Sequence, residues 1–505
     1  MKDSLDRTAP LAGQAWRWPA GLLLGFGVIF AAISLVNHYY FRTAALDLGI
    51  NTHALRDFGR GRMHLSTLLL DTPPTNFLSS HFALIPVLVS PLYWVFGSWT
   101  LLLVQLVALL LGGLGVWTYA RGQGLAPRHA NLALAYCLSL WGVYSALSFD
   151  YHDNVIGAMT IPWLVHWVAK RRWWPAALMF GLLLVSKENL ALWGAVVLLG
   201  LAWKHRRERR VALVALAGVV LALAYFAVIT KLVMPAIDTT HRPYTQMARY
   251  QHLGGSLPEI ARNLLTQPTL LVAVLLRNTA GDPASNYIKL ELWGVLLFSG
   301  GLLTLARPWY ALMLGPLLAQ KLLANDYGFW GINGQYSIEF VPVLALAAID
   351  TAGYLAPRLR QRLLTATLAL ATLTTVVTLY TRYSIWYDRT TANFLQAKHY
   401  RSPLNVPRLH AALARVPADV PLSAQTNLAP WLTNRDSLYH YPVLRAARLV
   451  ALLKRPFSAW PLTEEGYQDS LQALRHRTGM RVIYEDDQLL LLSRIPPGSL
   501  ATSRP

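Results

Sequence analysis

The sequence predicts an all-α polytopic membrane protein of about eleven transmembrane helices and one outer interfacial helix, followed by a small C-terminal extracytoplasmic α/β domain. Three observations predict it. Only 14% of the 505 residues are charged and 54% are apolar, with a mean hydropathy of +0.35, whereas a soluble chain carries about a quarter charged residues. The apolar residues fall in blocks, such as 211–233, that reach the roughly 20 residues needed to cross a bilayer core as a helix. After residue 382 the long blocks stop, and short β-rich runs alternate with helical ones.

The first apolar stretch, 19–36, is longer than a signal-peptide core and lacks a small-residue cleavage site, so it reads as a retained helix over 20–39. Further spans are expected at 99–119, 129–148, 154–169, 173–186, 189–203, 211–233, 290–306, 308–323, 337–355 and 363–381. Residues 82–97 are apolar but contain Pro86 and Pro91, and as a helix they would extend only about 24 Å. They read as a half-inserted or interfacial helix on the outer side.

That choice sets the sidedness of everything after it. The inner segments then hold Lys2, Arg7 and Arg17; Arg121 and Arg128; Lys170, Arg171 and Arg172; the basic run 204–210; Arg307; and Arg358, Arg360 and Arg362, as the positive-inside bias requires. A full crossing at 82–97 would turn the 204–210 run outward. Arg42, Arg56, Arg60 and Arg62, in the first outer loop, run against the bias. The amino terminus lies inside, and the chain divides into a transmembrane domain, 1–382, and an outer domain, 383–505. In the outer domain 408–416 and 467–477 read as helical, and Asp486-Asp487 joins two apolar runs as a hairpin. No internal repeat supports an inverted-repeat transporter.

The net charge of +20 does not indicate nucleic acid, because its densest cluster sits between two apolar blocks. The single cysteine, Cys137, lies within an apolar block, so there is no intrachain disulfide and no cysteine-based zinc site.

With sidedness fixed, polar residues gather on the outer side: Asp47 and His81 in the first loop, Asp150, His152 and Asp153 in the second, and Lys187-Glu188 in a very short third. His241, Arg242 and Tyr244, then Asp326, Tyr327, Gln335 and Tyr336, follow in later loops. Charges at a membrane boundary are expensive and mark function by default. Each also has a plain structural role open to it. Asp47 could cap a helix starting at Leu48, Lys187 and Glu188 could be an interfacial ion pair, and His152 could be a hydrogen-bonded structural residue. What favours function is that four acids, two histidines and a lysine come from three loops.

In order, the runs LDLGINTHALRDFGRG, SSHFALIPVLVSPLYWVFG, FDYHDNVIGAM, SKENLAL and GQYSIEFVPVLALAAID, spanning about 38–350, resemble a bacterial and archaeal membrane-protein family catalogued as domain of unknown function 2079. The tail motif SAQTNLAPWLTNRDSLYHYP and the closing RVIYEDD look like that family's outer domain. The family in turn resembles the GT-C membrane glycosyltransferases, which take a sugar from a polyprenyl-phosphate carrier on the outer face. Their acidic residue in the first outer loop, interfacial helices and second acidic motif match Asp47, segment 82–97 and Asp150. Unlike the protein mannosyltransferases, this chain has Leu48, not Glu, after Asp47, and it lacks the Trp-Trp-Asp motif of the oligosaccharyltransferases.

The resemblance implies a GT-C-like fold in a bacterial or archaeal inner membrane, with a lipid-linked sugar donor and an extracytoplasmic acceptor. Glycosyl transfer needs a carboxylate to take the acceptor proton and cations to stabilise the leaving phosphate. Asp47 is the expected base and Asp150 the second acid. Lys187 is the expected phosphate contact with Glu188 holding it; Arg42, Arg242 and His152 are further cationic candidates, and His81 and Tyr336 complete the binding set. No cofactor is certain, but Asp150, His152 and Asp153 could ligate Mg, Mn or Zn. The alternatives are a flippase or small-anion transporter, with Pro162 and Pro316 interrupting two helices, and a non-catalytic GT-C-like scaffold.

Overall fold

A computed structural model describes residues 12–70, 73–240, 245–381 and 393–494. Helices occupy every stretch expected to span: Ala12–Tyr39, Thr100–Gly122, Pro127–Ser139 with Trp141–Leu147, Asp153–Ala169, Trp173–Ser186, Leu190–Lys204, Arg209–Val228, Ile288–Leu296 with Leu302–Leu305, Pro308–Leu322, Phe340–Gly353 and Pro357–Tyr380. Among the described residues six helical stretches are long and apolar enough to cross a membrane, seven if the pair bent by 44° at Leu140 counts as one. Leu140 takes extended backbone angles, φ −68° and ψ 139°, which breaks the hydrogen-bond ladder there. Trp173–Ser186 and Leu190–Lys204 are shorter apolar helices.

The bundle has a centre and a rim. The span Gly334–Gly353 is 83% buried, whereas Arg209–Ile237 is only 17% buried. Lipid tails are as apolar as leucine, so helices at the centre associate by close contact between small residues. Ala345, Ala347, Ala348 and Ala352 are fully buried in the central helix. At Gly142 the approach is to backbone, since a Cβ there would lie 2.3 Å from the carbonyl oxygen of Ser337.

Segment 82–97 is neither a single helix nor a loop. It forms the short pieces Ile85–Val89, Ser90–Leu92 and Tyr93–Phe96, and leads through Gly97 into Thr100–Gly122. Gly97 holds φ +54°, a region glycine enters without cost, and this turns the chain. Leu88, Trp94 and Val95 present their side chains outward.

The interhelical loops fall at two ends. At one, Lys170 donates to Gly122 O at 2.9 Å, Lys204 pairs with Asp350 at 2.6 Å, and the Arg307 guanidinium lies 3.7 Å from the Tyr354 ring centroid. The basic loops thus share an end. The acidic loops meet at the other, beneath the C-terminal sheet.

That sheet is five-stranded, in the order β4-β3-β5-β7-β6. Here β3 is Leu422–Ala424, β4 Leu438–His440, β5 Leu449–Leu453, β6 Met480–Glu485 and β7 Leu489–Arg494, after the two-residue pair β1 (Leu65–Ser66) and β2 (Thr75–Asn76). Strands β3, β4 and β5 are parallel, and β7 and β6 antiparallel. The expected hairpin lies between β6 and β7, with Asp486 accepting from the backbone N–H of Gln488 and Leu489. The period of two along β5 divides its side chains. Leu449, Ala451 and Leu453 pack with the helix Val406–Leu413 and with Phe41, Ala45 and Leu68 of the first loop. Val450 and Leu452 pack on the helix Glu464–Arg475. The expected boundary at 382/383 lies outside the described residues.

Candidate functional site

The chain leaves its first helix through Thr43 and Ala44 and winds a single wide turn, Ala45–Gly49, that carries Asp47. Asp47 does not cap a helix. Its Oδ1 lies 3.2 Å from His152 Nε2, and its side chain stays 30% exposed. The His152 ring is held against Phe149, nearly parallel at 5.5 Å.

Asp150 reaches the same turn from the second loop. It adopts φ +54°, and its Oδ2 accepts from the Ala44 N–H at 2.7 Å. Burial, and then the charge of Asp47, push its carboxyl well above the ordinary range, against the pull of the Ala44 and Leu48 amides. Gln105, buried in the helix Thr100–Gly122, fixes this loop by donating to Asp150 O at 2.8 Å and accepting from His152 N at 2.9 Å.

The third loop departs from expectation in one respect. Glu188 does not hold Lys187. Its Oε1 lies 3.0 Å from His81 Nδ1, and its Oε2 accepts from the Phe82 N–H at 3.0 Å. Among the described residues Lys187 has no ion-pair partner, and it lines a partly open cleft with Asn154, Lys321, Gln335, Tyr336 and Glu339. Asn154 donates to Glu339 Oε1 at 2.8 Å, and Lys321 donates to the Gly331 and Tyr336 carbonyls. The Tyr336 ring stacks on Phe329 at 4.6 Å.

Arg42 lies elsewhere. Its guanidinium donates to the carbonyls of His399 and Arg401, both at 2.8 Å, which turns it toward the C-terminal region. Arg242 and His241 lie outside the described residues. The metal triad does not assemble: Asp150 faces backbone amides, Asp153 accepts from the Tyr151 hydroxyl at 2.7 Å, and His152 faces Asp47. No three His, Cys, Asp or Glu side chains among the described residues could hold an ion together.

Sequence reasoning gave no role to Gln105, Lys321 or Glu339. A lone amide inside an apolar span was the signal for Gln105. It also left the first-loop arginines unexplained. Arg56, Arg60 and Arg62 all pair with Asp436 of the C-terminal region, at 2.8, 3.3 and 3.0 Å. Arg56 and Arg62 also meet Asp57. Burial pushes Asp57 up, but His64 at 2.8 Å, with His53 and Arg62, brings its carboxyl down to about 2.

A family model described as Predicted membrane protein (DUF2079) matches residues 37–491. ArnT from Cupriavidus metallidurans bound to undecaprenyl phosphate superposes with a TM-score of 0.52 and 12% identity, covering 98% of this chain and 100% of that one. The apo form of the same protein gives 0.47 at 13% identity, over 93% and 98%. ArnT is a GT-C glycosyltransferase, and at this identity the likeness concerns the fold. No curated protein matches.

Proposed function

The chain belongs to the DUF2079 family of predicted membrane proteins, and from that premise, with the ArnT-like fold, we propose that it transfers a sugar from a polyprenyl-phosphate donor to an extracytoplasmic acceptor. In this reading it crosses the membrane about eleven times, with its amino terminus cytoplasmic and the C-terminal sheet outside. The observation that carries the reading is the meeting of Asp47, His152 and Asp150 from two loops, while Lys187, without an ion pair among the described residues, lines a cleft with Asn154 and Tyr336.

Asp47 takes the acceptor's hydroxyl proton as the acceptor oxygen bonds to the anomeric carbon. The bond from that carbon to the phosphate oxygen breaks, and polyprenyl phosphate leaves with the electron pair. The ring develops oxocarbenium character between these events. Lys187 neutralises the leaving phosphate, and His152 keeps Asp47 in place. Asp150, half-buried and inclined to hold its proton, orients the acceptor. Arg42 has no part in phosphate binding, and no step runs through a metal.

The test is donor consumption by the purified protein in liposomes carrying a panel of polyprenyl-phosphate sugars. Asp47→Asn should lower turnover about 10²- to 10⁴-fold at unchanged yield and melting temperature. Parental turnover in that variant would remove Asp47 as base. Lipid flux without consumption would replace the enzyme with a transporter.

A further inference from the structure

Three consecutive residues ahead of Asp47 are bound alternately by two parts of the protein. Thr43 O accepts from Asn427 Nδ2 at 3.2 Å. The Ala44 N–H donates to Asp150 Oδ2 at 2.7 Å. The Ala45 N–H donates to Thr426 Oγ1 at 3.2 Å. Thr426 and Asn427 are 2% and 1% exposed, and they follow β3 after one residue, Gln425.

The turn carrying them is itself tied down. Asn427 Oδ1 accepts from Gln425 Nε2 and from the Ser458 N–H, both at 3.1 Å, and Gln425 Oε1 accepts from the Asn427 N–H at 2.8 Å. Gln425 Nε2 also donates to Ser458 O at 2.6 Å. A buried network with its partners in place is stiff, and this one ends on the backbone that bears the acid site.

We infer that Thr426 and Asn427 are positioning residues: the C-terminal sheet holds backbone 43–45 so that the Ala44 amide meets Asp150, and thereby sets the spacing between Asp150 and Asp47. The catalytic half of this inference rests on the proposed glycosyl transfer; the structural half does not. A polar group that must be desolvated to reach its partner is selective about geometry, and loss of one tie lets the wide turn at 45–49 drift. A displacement of about 1 Å at a reacting group costs on the order of 10²-fold in rate.

The test uses the full chain in detergent or nanodiscs. Thr426→Val removes the acceptor for Ala45 at nearly constant volume, and Thr426→Ser restores it. Asn427→Asp keeps the acceptor for Gln425 and Ser458 but removes the donor to Thr43. Amide exchange of peptides covering 43–46 should quicken about fivefold to tenfold in Thr426→Val and Asn427→Asp, and return to the parental rate in Thr426→Ser. In the donor-consumption assay kcat should fall about tenfold to a hundredfold, with KM within twofold. Unchanged exchange at 43–46 in a folded Thr426→Val or Asn427→Asp protein overturns the inference. So does quickened exchange with parental kcat. If the parent itself consumes no donor, the glycosyl-transfer reading fails, and the exchange measurement alone decides whether the turn holds the loop.

Discussion

Replacing Glu188 by glutamine should make the protein less stable at neutral pH by an amount that vanishes in acid. The Glu188 side chain is 4% exposed, and both its oxygens accept hydrogen bonds from the 81–82 backbone and side chain. Burial alone would raise its carboxyl, but the charge and hydrogen bond of His81, with Lys187, outweigh burial and set it at about 2 instead of 4.5. The unfolded chain therefore binds the proton more tightly than the folded one. The stabilisation is complete above about pH 4.5 and is lost as pH falls toward 2. A drop of this size corresponds to on the order of 3 kcal/mol. Glutamine keeps the shape but turns an NH₂ group toward one of the two donors. Unfolding of parent and Glu188→Gln in detergent from pH 7 to pH 3 should show a gap of that order at the top of the range, closing below about pH 4.5. A gap that stays constant, or widens in acid, would refute the reasoning, because the stabilisation would then not come from the carboxylate charge.

Lys187→Ala should lower kcat/KM for the donor about tenfold or more, the scale of one charge-assisted hydrogen bond; an unchanged kcat/KM would remove it as the phosphate contact. Gly142→Ala places a Cβ 2.3 Å from Ser337 O and should cost at least about 1–3 kcal/mol in unfolding measurements, because the obstacle is backbone. Asp436→Asn removes the negative charge shared by Arg56, Arg60 and Arg62. Its carboxylate is largely exposed, so the loss should be below about 1 kcal/mol and should disappear in 1 M salt.

The helices were legible because blocks of apolar residues have few other ways to satisfy their backbone in lipid, and the charge pattern separated the two sets of loops that the fold also separates. Arg56, Arg60 and Arg62 broke that pattern for a reason no local window carries in full: the one counter-charge all three share, Asp436, is more than 370 residues away in sequence. The hairpin at Asp486-Asp487 was readable from adjacent runs, whereas the parallel order of β4, β3 and β5 depends on crossovers that composition does not encode. Asp47, Asp150 and His152 stood out as charges at span ends. The partner of Glu188 did not: its neighbour Lys187 is next in sequence, but the loop's extended backbone at Lys187 sends the two side chains different ways, and His81 takes the place instead. Glu339 and Gln105 escaped notice because each is a single polar residue whose meaning comes from what packs beside it.

Cys137 is fully enclosed by the bundle, and it is the sole sulfhydryl in the sequence. The native chain is therefore a silent background for membrane-impermeant thiol reagents. A cysteine introduced at Arg206, in the basic loop, and another at Asp419, in the C-terminal region, both exposed positions, would each report alone. Two single-site proteins in right-side-out vesicles are enough to read the handedness of the whole weave, with no need to strip out a native thiol first.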